Sequence, residues 1–405
     1  MRIAGIVAEY NPFHNGHAYH IDKTRERDDG CEATHVVAVM SGSFVQRGEP
    51  SVMTKFDRAR AALAGGADLV LELPLPWALS SAEKFAFGAV SMLNALGCVD
   101  VISFGSEAGA LAPLERAVNT METARFQTLL KYFMESGIAF HEAVQKALSE
   151  IAGDTCGNLL SSPNNTLGIE YLKALRRLDS PIKPFTVERY QVAHDSEVPL
   201  GNIASATYLR NLMKSDRTVA AFPFMPSACV NVVSDAAQKG ALPALPERLE
   251  RAVLARLRTL SVDQIAALPG VSEGLENRFY NAVRHATDLT SLEEAVKTKR
   301  YPLTRVRRLI WNAFLDTPKL APFTPVPYLR VLAANSRGKE ILSAAKPAVP
   351  VIHRASQVEK LDDTIRALWQ LECRATDLHA LAFPTPLPCG ADYTTGIVRA
   401  DSEFV

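Results

Sequence analysis

Through residues 1–105 the chain alternates short apolar runs with longer stretches of helical spacing. An apolar run at 3–8 ends in a polar turn, and residues 16–27 then follow a helical pattern. The β-branched run HVVAVM at 35–40 comes next, then a helix-like segment at 56–64, a second such run, DLVLEL, at 68–73, and a helical pattern at 80–96. DVISF at 100–104 is a fourth strand, closing on Gly105, Ser106 and Glu107. Strands alternating with helices imply βαβ units and a parallel sheet covered on both faces. Polar residues cluster just after each apolar run, at the sheet edge where open α/β folds bind ligands.

Residues 111–151 are helical in pattern, with breaks near Thr123 and Gly137. A helix at 165–178, a fifth strand at 183–189 and a short helix at 204–214 complete this half. The proline pair in FPFMPS sets a boundary at 215–227. The first domain is thus expected over 1–215 and a second, mainly helical, over 228–405. Helical spacing recurs in the second at 248–260, 261–267, 273–286, 291–297 and 304–314.

Composition narrows the class. With 405 residues, 47% of them hydrophobic, the chain buries a core unaided. Forty-four basic residues balance 44 acidic ones, so any nucleic-acid surface must be a local patch. Six cysteines without CxxC pairs or zinc-finger histidines argue against structural zinc and fit a reducing cytoplasm. The first apolar run is too short for a signal-peptide core, and no stretch approaches the ~18 apolar residues of a membrane helix.

The chemistry concentrates in NPFHNGH, residues 11–17, between the first strand and the first helix. A helix N-terminus offers unpaired N–H groups and partial positive charge. Gly16 admits close approach of a phosphate. His14 and His17, three apart, can converge on one anion and donate to its oxygens. That suits a site stabilising charge on an α-phosphate under in-line attack, with no nucleophile of its own.

An HxGH after the first strand resembles the nucleotidyltransferase superfamily with a Rossmann-like core. The longer strings GIVAEYNPFHNGHAYH, SGSFVQRGEP (41–50), GADLVLELP (66–74), FGSE (104–107), SPNNTLGIEYLKAL (162–175) and SATYLR (205–210) narrow the resemblance, as do VSEGLENR (271–278), KRYPLTRVRR (299–308) and PYLRVLAANSRG (327–338). Together they resemble the bacterial tRNA(Met) cytidine acetate ligase family over nearly the whole chain. The resemblance implies that acetate and ATP form acetyl-adenylate and pyrophosphate. The wobble cytidine N4 of elongator tRNA(Met) then takes the acetyl group, giving N4-acetylcytidine and AMP.

It also implies an ATP site built from Val7, Ala8, Glu9, Tyr10, Asn11, Pro12, Phe13, His14, Asn15, Gly16, His17, Ala18, Tyr19 and His20. Gly105, either Asn164 or Asn165, and Arg189 join them, with His14 and His17 catalytic. Of the two asparagines, one is expected to cap the following helix and the other to reach the ligand. SATYLR resembles the ISSTxxR signature that holds triphosphates, through Ser205, Thr207 and Arg210, with Ala206 replacing one hydroxyl donor. Mg²⁺ is a candidate cofactor because ATP normally arrives with it. Ser41, Gly42, Gln46 and Arg47 either face the ligand or order a loop over it; Lys55 and Arg58 are either contacts or solvated charges.

The segment KTKRYPLTRVRR (297–308) carries six basic and no acidic residues. Arg305 and Arg308 share a helix face and Tyr301 is placed to stack on a base, so this is the expected tRNA contact. An adenylyltransferase joining AMP to a phosphorylated small molecule shares the HxGH site but has no use for the second half. Val7–His20 also holds no Lys or Arg for such a substrate, while Ala8, Pro12 and Phe13 suit a methyl group. A non-catalytic RNA-binding protein would not need the intact HxGH.

Overall fold

A computed structural model of the chain describes residues 1–27, 30–189, 199–272 and 274–399. The polar loop after Arg189 and the first residue of the expected helix 273–286 lie outside them. In chain order the strands are β1 (Ile3–Ala8), β2 (His35–Ser41), β3 (Phe44–Val45), β4 (Glu49–Pro50), β5 (Leu69–Leu73), β6 (Val101–Ser106), β7 (Lys183–Glu188), β8 (Leu329–Ala334) and β9 (Val351–Ile352). Seven form one sheet in the order β7-β6-β1-β2-β5-β8-β9, while β3 and β4 make a separate hairpin. All pairings from β7 to β5 are parallel. Val36 to Met40 are wholly buried in β2, the continuous apolar run expected of a strand covered on both faces.

From β1 the chain winds outward through β2 to β5; from β6 it winds the other way to β7. The order reverses between β1 and β6, and ligands bind at the carboxyl ends of strands flanking such a switch. The helix α1 (Asn15–Arg25) and the helix Leu111–Met121 follow β1 and β6 respectively, so both loops at this point lead into helices.

The second half is helical, as expected, but it also extends the sheet. β8 pairs antiparallel with β5, and β9 pairs with β8. Near the end of the chain, Val398 donates its N–H to Leu332 and accepts one from Ala334. The expected second domain, 228–405, therefore shares the sheet with the first. PYLRVLAA carries an apolar alternation too short and too close to prolines to stand out among helices. Helices Pro246–Arg258, Leu275–His285 and Leu303–Leu315 pack Leu249, Val253, Phe279, Val306 and Trp311 around Phe44 of the hairpin and Leu75 and Leu79 after β5. The hairpin is thus the joint between the halves: Phe44 and Trp311 meet at 5.2 Å.

A buried ionic cluster makes a second joint. Helix α2 (Lys55–Ala64) begins with Lys55, whose ammonium lies 2.7 Å from Glu72 of β5 and 2.8 Å from Asp392. Arg330 of β8 closes the ring, 2.7 Å from Glu72 and 2.6 Å from Asp392. Two cations and two anions balance. The third carboxyl, Glu372, is surplus: burial and then Glu72 push it up to about 8, although it accepts the N–H of Leu75. Lys55 and Arg58, open as solvated charges from sequence, are both wholly buried.

Glu372 makes folding pH-dependent. Unfolded, it ionises near its usual 4.5; folded, it keeps its proton to about 8. Between those values the folded chain binds more protons, so this group's contribution to stability falls as pH rises. Glu372→Gln keeps an acceptor for Leu75 and never ionises. We expect its melting temperature relative to the parent to climb between pH 5 and pH 8; a constant difference would show that Glu372 titrates normally.

Candidate active site

The loop after β1 turns through a cis Asn11–Pro12 bond and a left-handed Tyr10 at φ 46° before α1 starts. His14 is the N-cap of α1 in extended conformation, and its Nδ1 accepts the N–H of Gly16 at 3.0 Å. His17, at the third helical position, turns back so that its Nδ1 accepts the N–H of His14 at 3.2 Å. This is a capping box made from two histidines. The rings stack with centroids 3.8 Å apart. A side chain at Gly16 would meet the His14 ring at 2.9 Å, so glycine is what lets that ring fold over the helix start.

The capping bonds fix the chemistry. A ring nitrogen that accepts carries no proton, so each imidazole is neutral with its hydrogen on Nε2. Two N–H donors are thereby held side by side at the start of α1, and both histidines line a cavity of about 650 Å³. A site of that size and polarity suits a small organic ligand.

Of the expected residues, Val7, Ala8, Glu9, Tyr10, Asn11, Gly16, Tyr19, His20, Gly105, Asn164, Arg189, Ser205 and Arg210 line the same cavity. Glu9 accepts the N–H of Gln46 at 2.7 Å, and burial holds its carboxyl above the usual range. His20 Nε2 meets Ser103 Oγ at 2.9 Å, tying α1 to β6; burial, with Arg189 nearby, lowers its ring to about 4. Asn11 gives Oδ1 to the N–H of Val52, and its amide Nδ2 is buried without a protein partner. Arg210 donates to Asn11 O at 3.0 Å, meets Glu49 of β4 at 3.3 Å and donates to Thr207 Oγ1 at 3.2 Å. It therefore pins the cis-proline loop to the hairpin. Ser205 caps the helix Ala206–Lys214 through the N–H of Tyr208.

The geometry separates the two asparagines. Asn164 donates to Glu107 at 2.6 Å and accepts from Arg189 at 3.1 Å, at the cavity wall beside Gly105. Asn165 is buried, its Oδ1 taken by the N–H of Ala108. Neither is the N-cap expected for one of them; Ser162 holds that place, because Pro163 starts the helix two residues earlier than the sequence suggests. Burial lowers the Arg189 guanidinium below its usual range, opposed by Glu107.

Other expected contacts turn away. Pro12, Phe13, Asn15, Ala18, Asn165 and Thr207 are not in the cavity wall. Phe13 is buried and packs over Gly65, and Asn15 Nδ2 donates to Asn202 O. Pro12 and Phe13 therefore cannot cradle a methyl group. The lack of basic residues in Val7–His20 also fails as an argument, since Arg47, Arg189, Arg210 and Arg308 reach the cavity from elsewhere.

Sequence reasoning did not find His141, Thr304 or Arg308 in this wall. Arg308 and Arg305 were expected on one face. Instead Arg305 donates to Gly270 O and Ser272 Oγ, while Arg308 turns into the cavity and donates to Gln46 O at 3.2 Å. Tyr301, the expected stacking residue, is buried with Arg305 over its ring. Of the six basic residues, Lys297, Lys299 and Arg300 remain exposed, and Arg307 forms a two-pronged pair with Glu293 at 3.0 Å. Among the described residues, no cluster of three His, Cys, Asp or Glu side chains is placed to hold a metal ion. None of the described helices is long and apolar enough to cross a membrane.

A family model described as HIGH Nucleotidyl Transferase matches residues 1–389. The tRNA(Met) cytidine acetate ligase of Acetivibrio thermocellus is 36% identical over 98% of this chain and all of its own. That of Alkaliphilus metalliredigens is 39% identical over 94% of both. The crystal structure of apo Thermotoga maritima TmcAL superposes with a TM-score of 0.92 at 31% identity, covering 98% of this chain and 100% of that one. The form bound with alpha-thio ATP gives 0.90 at the same identity, over 98% and 99%.

Proposed function

The chain belongs to the tRNA(Met) cytidine acetate ligase family of HIGH nucleotidyltransferases, and from that premise we propose that it joins acetate to the wobble cytidine of elongator tRNA(Met) at the expense of ATP. The observation that carries the proposal is the histidine pair, stacked at the start of α1 with both Nδ1 atoms taken by backbone N–H groups, lining one cavity at the sheet's switch point. An acetate oxygen attacks the α-phosphorus of ATP in line with departing pyrophosphate. His14 and His17 donate to the phosphoryl oxygens as charge grows on them, and the α1 amides add their dipoles. The cytidine N4 then attacks the acetyl carbon of the mixed anhydride, AMP leaves, and the amine loses a proton.

Gly105, with Asn164 and Arg189 over it, is the natural floor for the nucleoside; the Arg189 side chain approaches to 3.0 Å of where a Cβ would stand. Ser205 and Arg210, which also line the cavity, are the candidates for the phosphates. No cluster of three His, Cys, Asp or Glu side chains among the described residues is placed to hold Mg²⁺, so the ion would arrive with the triphosphate and would supply neutralisation of charge on the leaving pyrophosphate. The Thermotoga maritima relative bound with alpha-thio ATP supports the nucleotide assignment. Six unpaired cysteines fit a cytoplasmic reaction.

The tRNA would lie along the exposed cations Lys297, Lys299 and Arg300, next to the helix that reaches the cavity. Reversing charge at Lys297 and Lys299 should weaken tRNA binding and flatten its salt dependence by about one unit of slope per lost phosphate contact. Acetate-dependent release of pyrophosphate without RNA should continue at the parental rate. Unchanged tRNA affinity would remove this face from the RNA path.

A further inference from the structure

Arg308 is the cation that the helical half contributes to the cavity. Its helix, Leu303–Leu315, is pressed against the hairpin turn: a side chain on Gly48, at φ 82°, would lie 2.6 Å from the backbone nitrogen of Arg308. Only a bare backbone permits that approach. The same turn presents Gln46, whose N–H goes to Glu9 and whose carbonyl takes one N–H of Arg308. Arg308 is therefore fixed relative to the end of β1 and the histidine loop, although it lies about 300 residues further along the chain.

The charge on this side chain has no counter-ion among the described residues. No carboxylate among the described residues forms an ion pair with Arg308, whereas Arg307 beside it is paired with Glu293 and Arg210 across the cavity with Glu49. Burial, and then the neighbouring Arg305, lower it to about 10, so it stays protonated at neutral pH. Arg308 is half-buried, and drawing a charge partly out of water without a counter-ion is costly, a cost a ligand phosphate would offset. One guanidinium N–H is used by Gln46; the remaining fork matches a phosphate.

We propose that Arg308 is a phosphate-binding residue of the active-site cavity, engaging a phosphate of the bound triphosphate or of the incoming tRNA. The inference rests on the ligase reading above and adds to it that the helical half completes the catalytic cavity as well as carrying RNA. It also gives the two halves a reason to share a rigid joint at the hairpin: a phosphate gripped from both sides needs both grips in register.

Direct binding to the full chain, without acetate and without turnover, tests this. The probes are a non-hydrolysable ATP analogue, AMP and tRNA(Met), and the variants are Arg308→Gln and Arg308→Lys. If the anion is the triphosphate, Arg308→Gln raises the dissociation constant of the ATP analogue about 10- to 100-fold and leaves that of AMP alone. If it is an RNA phosphate, the analogue binds as before, while tRNA binds more weakly with a salt slope about one unit shallower. In either case Arg308→Lys recovers part of the loss, and retained AMP binding reports an intact site. Parental affinities and slope for all three probes in Arg308→Gln would overturn the inference and leave the ligase reading standing. A parent chain that binds neither ATP analogue nor tRNA would instead overturn the ligase reading.

Discussion

The variant His14→Asn is expected to lose ~10²–10³ in the rate of acetyl-adenylate formation while keeping its helix intact. Asparagine is a preferred N-cap, and its side-chain oxygen takes over the N–H of Gly16 that His14 Nδ1 now accepts. The Nε2–H donor disappears. His17→Gln works likewise, because glutamine at the third helical position can reach back to the His14 N–H. Alanine at either position would also remove a cap, at ~1 kcal/mol, and confuse stability with catalysis. ATP affinity should fall less than turnover, since the donors act on charge that develops only in the transition state. Rates of pyrophosphate exchange within twofold of the parent in both conservative variants would mean that the pair is a helix cap and nothing more.

The second large effect is on stability. Glu72→Gln leaves Lys55 and Arg330 with Asp392 and with Glu372, which must give up its proton to restore the lost charge, in a site where Lys55 and Glu72 are about 1% exposed or less. Removing one partner from such a set typically costs ~3–5 kcal/mol, less whatever Glu372 returns by ionising in its place. The cluster joins β5, the start of α2, β8 and the helix Ala391–Thr394, so the loss falls on the union of the two halves. Urea denaturation should show a lower midpoint with an unchanged slope. A shift below ~1 kcal/mol would indicate that water reaches the cluster and solvates the bared charges.

How far the sequence carries this picture depends on the range of the cause. β1, β2, β5, β6 and β7 each fall within two residues of their expected bounds, because apolar runs between helical patterns are local signals. The histidine pair was legible for the same reason: strand, turn and helix are contiguous. What escaped is long-range. β8 joins the sheet by pairing with β5 about 260 residues earlier, and nothing within PYLRVLAA announces that partner. Lys55 and Arg58 look like ordinary helix-surface charges until Asp392, Arg330 and the carbonyls of Glu9, Ser41 and Gly42 close around them. The basic run at 297–308 was read as one patch, yet the 100° step of a helix sends Arg305, Arg307 and Arg308 to three destinations. Phe13 entered the expected ligand wall with the whole segment Val7–His20 and as a partner for a methyl group, but it is buried over Gly65 in the core.

The central claim is that acetate, activated by ATP in this cavity, ends on a tRNA cytidine. The most direct measurement incubates the protein with ATP, labelled acetate and bulk tRNA, digests the RNA and identifies the labelled nucleoside while AMP and pyrophosphate are counted. The account predicts N4-acetylcytidine as the labelled nucleoside, confined to elongator tRNA(Met), with one AMP and one pyrophosphate for each acetyl group transferred. Acetylation of RNA from acetyl-CoA without ATP would contradict it, as would transfer of AMP to a phosphorylated metabolite with acetate ignored.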